Sequence, residues 1–532
     1  MRAVAPPVFF LLLVLLGFRI HGDYGTHFDD PNGRYLAQVT SRYVLETLIP
    51  SRVPEQAKTL PPLHEYVDRD YGVGVELPLL AIEILAGVRD TRDIYVFRHL
   101  LLFLLGVAGT YAVYWMAARR FLDWRIGLLA ALLFVVSPRT FADSFYNSKD
   151  GAFLAVFAMA LATTVAFVLR PAPATALFNA LATGLAVDVR LVALVLPLGA
   201  TALLAVRLLK REVPLARTVA AHALYLLLAA LVAIALWPFL WTDPIGNFAY
   251  AFESMSKFRW TLNNIYMGEL VHSSKLPWHY IPVWIGITTP LLYLALFIVG
   301  VAAILWAILR RGFGLWRDER ELQDILFLGV LVSPAAAAIV MQSILYDGWR
   351  QMFFIYAPFM LIAMRGWMLF WNVVPGRALV RPALGAATAL SVALTAAWMI
   401  RVHPLQNVYF NALAGSDLRT RWELDYWGMA NHLALDYILR HDDSPVIYVR
   451  TDAVTPVYSA FNIMKAKDRA RLRFGDGTKR PEYLVTNYRF TNVGDNPDQS
   501  DARYLEDYTP FWKLEIDGEV ILAVFKLKDP AP

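Results

Sequence analysis

Apolar runs about twenty residues long, separated by short basic clusters, dominate the pattern of this chain. Such a run is what an α-helix needs to cross a hydrocarbon core about 30 Å thick. The pattern predicts about eleven spans: 4–21, 93–118, 125–141, 151–169, 174–189, 191–209, 218–240, 281–309, 324–345, 352–371 and 383–401. Asp188 and Arg190 interrupt the apolar pattern between the fifth and sixth, which therefore read as a broken pair. The first run has the core of a signal peptide, but FRIHGDYG follows it instead of a small-residue cleavage site, so it is read as an uncleaved span.

Basic loops orient the spans. Arg119, Arg120 and Arg125 form one cluster; Arg207, Lys210, Arg211 and Arg217 a second; Arg310, Arg311, Arg317 and Arg320 a third; Arg377 and Arg381 a fourth. With the N-terminus inside, all four fall on the cytoplasmic side, and an odd span count leaves the C-terminal segment outside. The outer side then receives residues 22–92, the turn around 138–150, 241–280, 346–351 and everything after about 402. Within 22–92, the weakly apolar run from Val75 to Val88 carries Glu76 and Glu83 and reads as a re-entrant or interfacial helix. From His403 the long apolar runs stop. Residues 446–450 and 482–486 look like strands, 512–527 like a hairpin turning at Asp517–Gly518, and 428–440 like a helix. The expected division is a transmembrane domain, 1–402, and a small extracytoplasmic α/β domain, 403–532.

Composition supports this class. Of 532 residues, 58% are hydrophobic and 17% charged, whereas soluble chains lie nearer half and a quarter. The net charge of +5 resides largely in the loop clusters, so it indicates membrane orientation and gives no reason to expect nucleic acid. With no cysteine, disulfides, cysteine metal sites and a thiol nucleophile are excluded. The absence of a Walker loop, a Rossmann glycine fingerprint, HExxH and GxSxG argues against a nucleotide-driven pump and the common hydrolases.

Candidate chemistry gathers in the outer segments. Thr26 to Tyr43 reads THFDDPNGRYLAQVTSRY. Leu36, Val39, Tyr43 and Thr47 share a helical face, with Pro31 at the first helical position and Asp30 as N-cap, as in a helix lying on a membrane surface. Asp29 and Asp30 are then either a cap and a solvated turn or the acidic lip of a site. Ser137 to Asp150 packs Arg139, Asp143, Lys149 and Asp150 into one turn, and charges at a membrane boundary are costly unless paired or functional. Asp188 and Arg190 are either a structural ion pair or part of the same site. Lys275, before the eighth span, and Arg350, before the tenth, could contact phosphate, which Arg binds with a two-pronged fork, and His279 beside Lys275 is a candidate substrate-binding residue. Such carboxylates and cations in one outer pocket suit a lipid-linked sugar phosphate: the cations neutralise the leaving phosphate, and a carboxylate takes the proton of an attacking hydroxyl.

FDDPNGRYLAQVTSRY after the first span, SPRTFADSFYNSKDGAF at the third, LPWHYIPVWIGITTP at the eighth and YDGWRQMFFIYAP at the tenth resemble the polyprenyl-phosphate-dependent GT-C glycosyltransferases. The resemblance is to the glycosyltransferase family 39 branch, related to protein O-mannosyltransferases and lipid A aminoarabinose transferases. It covers about residues 5–400, and HPLQNVYFNAL and ELDYWG extend it. It implies a polytopic GT-C-like enzyme of a bacterial inner membrane. The implied reaction is inverting transfer of a hexose or pentose from a polyprenyl-phosphate donor to a lipid, glycan or protein hydroxyl, with the site facing the periplasm or exterior. It also implies that an acidic residue of the first outer loop serves catalysis, that Asp150 is the second acidic position and that Arg350 is the late basic one. Asp29–Asp30 lie one residue further from Arg34–Tyr35 than the family pattern. Adjacent side chains on an extended turn diverge, so one of the two is expected to face the pocket; Asp30 is favoured as base over Asp29. No cofactor is required by these motifs, and a divalent metal is left open. The competing readings are a lipid or polysaccharide transporter, which predicts repeat symmetry and charges near the bilayer centre, and a non-catalytic envelope assembly protein.

Overall fold

A computed structural model of the chain describes residues 4–256, 259, 261, 263–373, 379–451, 453, 455–474, 481–489 and 509–527. Among the expected orienting cations, Arg377 lies outside them. Among the described residues, eight helices are long and apolar enough to cross a membrane, or nine if the bent pair Trp124–Val135 and Pro138–Tyr146 is one span. Ala5–Ile20 and Pro173–Val189 are shorter apolar helices, so eleven is reached only if both are included.

Two expected spans are broken, each before a proline. The third turns by 74° between Val135 and Pro138, where Ser137 is extended (φ −122°, ψ 101°). The eighth divides into Tyr280–Thr288 and Leu291–Arg311, with Thr289 extended before Pro290. A proline ring clashes with a helical residue in front of it, which accounts for both breaks. Consequently Ser137–Asp150, expected as one turn, is mostly a second, buried helix that holds Arg139 and Asp143.

Asp150–Leu169 is a central helix, 72% of its apolar stretch being buried; Arg350–Asn372 is similarly enclosed at 78%, against 17% for Val380–Arg401. Its Asn179 neighbour shows how polar groups hold such a core together. The Asn179 carbonyl accepts from Thr163 (3.0 Å) and Thr164 (2.9 Å) across the helix interface. Elsewhere small residues permit close approach. A side chain on Gly300 would strike the Ile362 carbonyl, and one on Gly366 the Leu296 carbonyl, where Leu291–Arg311 crosses Tyr356–Val373.

The helix after the first apolar segment is Asp30–Leu48. Asp29, not Asp30, occupies its N-cap position, and no side-chain cap bond forms there. Leu36 and Val39 are buried and Tyr43 half-buried, but Thr47 is exposed. This face packs on protein, with Val39 and Tyr43 against Leu63, Trp237, Phe239 and Leu240, where the sequence predicted a lipid-facing surface. The run from Val75 becomes a ten-residue helix, Glu76–Leu85. Glu76 is buried against Arg98 and Glu83 against Arg34, so the two carboxylates that looked out of place in an apolar run tie this helix to its neighbours.

The C-terminal strands form one five-stranded sheet in the order Leu472–Phe474, Ile447–Thr451, Tyr483–Thr486, Glu519–Lys526, Trp512–Ile516. The first two pairings are parallel and the others antiparallel. The final hairpin turns at Asp517 and Gly518, both at positive φ. Asn431–His441 packs on the sheet. A single apolar cluster joins this sheet to the transmembrane helices, running from Phe103 and Phe145 through Leu405 and Trp427 to Val449 and Leu522. A second sheet, Asn263–Tyr266 with Glu269–His272, is an antiparallel hairpin.

Candidate active site

The ends of several helices enclose a cavity of about 510 Å³. Its polar lining includes Asp29, Lys149, Asp188, Arg190 and Arg350; its apolar lining includes Leu194, Leu198, Met255, Ala338 and Met341. The cavity therefore suits an amphiphile with an anionic head.

Asp150 opens the central helix, and the Asn147 side chain fixes the turn before it by accepting from the Lys149 and Asp150 amides (3.2 and 2.7 Å). The N-terminal end of a helix favours a carboxylate. Asp150 bridges two cations, Arg190 through one oxygen and Arg350 (2.9 Å) through the other. Arg350 is 3% exposed at its side chain. Its guanidinium lies 4.8 Å from the Tyr346 ring centre and 4.4 Å from that of Trp427. Nη2 sits 3.2 Å from Asp347 and 3.9 Å from Asp29, yet neither it nor Nε makes a hydrogen bond. A guanidinium packed between rings, bonded to Asp150 and ion-paired with Asp347, keeps two N–H groups without a hydrogen bond and is suited to an oxyanion.

Asp29 is 21% exposed at its side chain and lines the cavity. Burial alone would raise its pKa, but Lys149 and then Arg350 outweigh it, so the carboxyl titrates below its ordinary range. Asp30 turns the other way. It is buried, accepts from the His27 amide (3.1 Å) and lies 3.2 Å from the His27 ring, and it does not line the cavity. The sequence favoured Asp30 over Asp29; of the two, Asp29 is the one that lines the cavity. With Asp29 at the cap position and Asp30 in the first turn, the two side chains leave on different sides.

Asp188 and Arg190 do not pair with each other. Arg190 goes to Asp150, while Asp188 accepts from the Gly74 amide at 2.5 Å and leaves its other oxygen without a hydrogen bond. Gly72 is required here, since any side chain on it would strike the Asp188 carbonyl. The loop Tyr71–Gly74 thus lies directly on Asp188, and Lys149 sits 4.7 Å from the Tyr71 ring.

The C-terminal region reaches the same place. Arg489 pairs with Asp347 and lies 3.9 Å from Glu423. Burial raises the Glu423 pKa well above its ordinary range. The Trp427 indole donates to Asp143 (3.0 Å). Among the described residues, no group of three or more His, Asp or Glu side chains is placed to hold a metal ion.

No family model and no curated protein matches the chain. Among solved structures, ArnT from Cupriavidus metallidurans in the apo state aligns over 98% of this chain and 98% of its own, with TM-score 0.52 and 14% identity. The chain has a GT-C fold. At that identity the likeness concerns fold alone. The same ArnT bound to undecaprenyl phosphate gives TM-score 0.48 at 15% identity, covering 98% of each chain. The Archaeoglobus fulgidus oligosaccharyltransferase AglB, in complex with an inhibitory peptide and a dolichol-phosphate, gives 0.43 at 11%, covering 96% of this chain and 74% of that one. Both fall too low to carry an argument.

Within this GT-C fold, an integral membrane architecture, the residues expected from sequence separate into two groups. Asp29, Lys149, Asp150, Asp188, Arg190 and Arg350 converge. Arg139, Lys275 and His279 do not. Arg139 is buried 4.6 Å from the Phe410 ring and donates to the Tyr409 carbonyl, a packing role. Lys275 is exposed beyond the Glu269–His272 strand, and the His279 ring hydrogen-bonds the Tyr266 hydroxyl (2.6 Å). Nothing in their sequence spacing reveals that a hairpin turns them away. Sequence reading missed Glu423, Trp427 and Arg489; the ELDYWG stretch was a signal for the first two alone.

Proposed function

We propose that the protein is a glycosyltransferase that moves a sugar from a polyprenyl-phosphate donor to an acceptor hydroxyl at the membrane surface, with inversion. One observation carries this reading: a solvent-reachable carboxylate, Asp29, faces a deeply held guanidinium with unused donors, Arg350, inside a cavity that is cationic in one part and apolar in another. The donor phosphate is held by Arg350, Arg190 and Lys149, and the polyprenyl chain leaves along Leu194, Leu198 and Met341. As the sugar–phosphate bond breaks, negative charge grows on the leaving phosphate, where fixed cations stabilise it. Asp29 takes the acceptor proton as the hydroxyl attacks from the opposite side of the sugar. Asp150 keeps the two arginines aligned, a positioning task. Asp188 supports the Tyr71–Gly74 loop by accepting from the Gly74 amide.

Residues 1–402 form the catalytic membrane domain and 403–532 an extracytoplasmic domain, in the inner membrane of a bacterium and facing outward. The test is direct: purified protein is incubated with a panel of polyprenyl-phosphate sugars and hydroxyl acceptors, and release of polyprenyl phosphate is followed. No release with any donor, alongside donor binding no better than that of an uncharged polyprenol, refutes the proposal.

A further inference from the structure

At the other end of the central helix the surface changes character. The helix begins at Asp150, next to the cavity-lining Lys149, and is followed by Arg170, so the two ends are about 30 Å apart. Between the helices near this end runs an open apolar groove of about 710 Å³, lined among others by Phe10, Tyr111, Trp115, Met159, Ala166 and Phe178. It continues into a polar mouth of about 760 Å³ that shares Trp115, Ala166 and Thr175 with it.

Arg119, Arg170 and Arg320 line the mouth. Among the described residues, none of the three guanidinium groups has a carboxylate or hydrogen-bond partner; Arg119 rests 4.7 Å from the Trp115 ring. This contrasts with the adjacent Arg120, which is fully engaged by Asp324 (2.8 and 2.6 Å). Two acceptors stand beside the three cations. Gln323 is 4% exposed, uses its amide nitrogen on the Glu319 carbonyl, and leaves its oxygen without a partner. Glu319 is exposed at the mouth. Asp318, also in the lining, is committed to capping its own helix through the Arg320 and Glu321 amides. A mouth with three free cations and a buried free acceptor, opening into an apolar groove, matches an amphiphile that has both an anionic group and a hydrogen-bond donor in its head.

We propose that this site holds one phospholipid whose head carries a phosphate and a primary ammonium. The phosphate lies against Arg119, Arg170 and Arg320, the ammonium donates to Gln323 Oε1 and Glu319, and an acyl chain fills the groove. The lipid is bound in the leaflet opposite the candidate active site, so it is neither donor nor acceptor of the proposed reaction.

Native mass spectrometry of the delipidated full-length protein in detergent, titrated with phosphatidylethanolamine, phosphatidylglycerol and phosphatidylcholine, tests this. Phosphatidylethanolamine is expected to bind about tenfold tighter than either other lipid, the worth of one well-made polar contact. Q323L should bring it to the level of phosphatidylglycerol. The triple variant R119Q/R170Q/R320Q should weaken it about tenfold or more. A166W blocks the groove, leaves every charge in place, and should also abolish retention. Glycerophosphoethanolamine, the head without chains, should bind at least about a hundredfold more weakly. Equal binding of the three lipids, binding unaffected by the triple variant, or a head group that binds as well as the whole lipid overturns the proposal. The lipid comparison on the unmodified protein decides even where a variant fails to fold.

Discussion

Replacing Asp29 by Asn tests the assignment of the base. Asn keeps the size of the side chain but cannot take a proton. General-base assistance contributes about two to four powers of ten in rate, equivalent to about 3–5 kcal/mol of barrier. Removing the charge also frees Arg350, which lies 3.9 Å from it, so donor affinity should stay the same or rise. D29N is therefore expected to lose at least about a hundredfold in transfer while binding donor normally. D30N should behave otherwise. Asp30 accepts from the His27 amide and faces the His27 ring; an amide satisfies only one of these, costing about 1–3 kcal/mol of stability and less than about tenfold in transfer. The assay is release of polyprenyl phosphate by purified protein, with donor binding measured in parallel. Since the Asp29 pKa is lowered by Lys149 and Arg350, the base form persists as pH falls, and the acid limb of the rate profile should lie below the ordinary carboxylate range. K149Q should move that limb upward. A D29N variant that keeps more than about a tenth of the wild-type rate, or a folded D30N that loses more than D29N, refutes the assignment.

R350A should weaken donor binding more than R350K, because Lys keeps the charge and loses the fork; equal donor affinity in wild type and both variants removes Arg350 from the site. R489A leaves Asp347 buried beside Arg350 alone and should cost about 3–5 kcal/mol, read as a lower thermal midpoint. Glu423 is raised by burial, so the folded protein binds its proton more tightly than the unfolded chain does; its stability contribution is full at acid pH and is lost as pH rises through neutrality. E423Q should flatten that fall in the midpoint, and an unchanged slope counts against a protonated Glu423. Reporters fused after residue 402 and near Arg311 should lie on opposite sides of the membrane, and a same-side result breaks the placement of the cavity.

The transmembrane helices were legible because each is a local statement: an apolar run either is long enough or is not. The breaks at Pro138 and Pro290 were also written locally, yet both segments read as continuous because hydropathy hides a turn made by extended residues. Site residues at the ends of apolar runs, such as Lys149, Asp150 and Arg350, stood out because a charge there needs a reason. Two kinds of information were not local. Whether Asp29 or Asp30 faces the cavity depends on one residue of helix phase, which propensity does not fix. The pairing of Asp347 with Arg489 spans more than a hundred residues of chain, and that of Glu76 with Arg98 joins two helices that sequence treats separately. Arg139 and Lys275 were assigned by charge alone; in the fold Arg139 packs against Phe410 and bonds the Tyr409 carbonyl, while Lys275 is exposed.

The contact of Trp427 with Arg350, together with the pairing of Arg489 with Asp347, has a consequence for biosynthesis. Asp29 leaves the ribosome about 460 residues before Arg489. At ~5–20 residues per second the interval between them is about half a minute to a minute and a half. During that time the membrane helices can insert and pack while the Arg350 guanidinium still lacks the Trp427 ring, and Asp347 beside it still lacks Arg489. On the proposed function, the chain is thus inserted before its site is complete, and one cut short by stalled translation would occupy the membrane with an unfinished cavity.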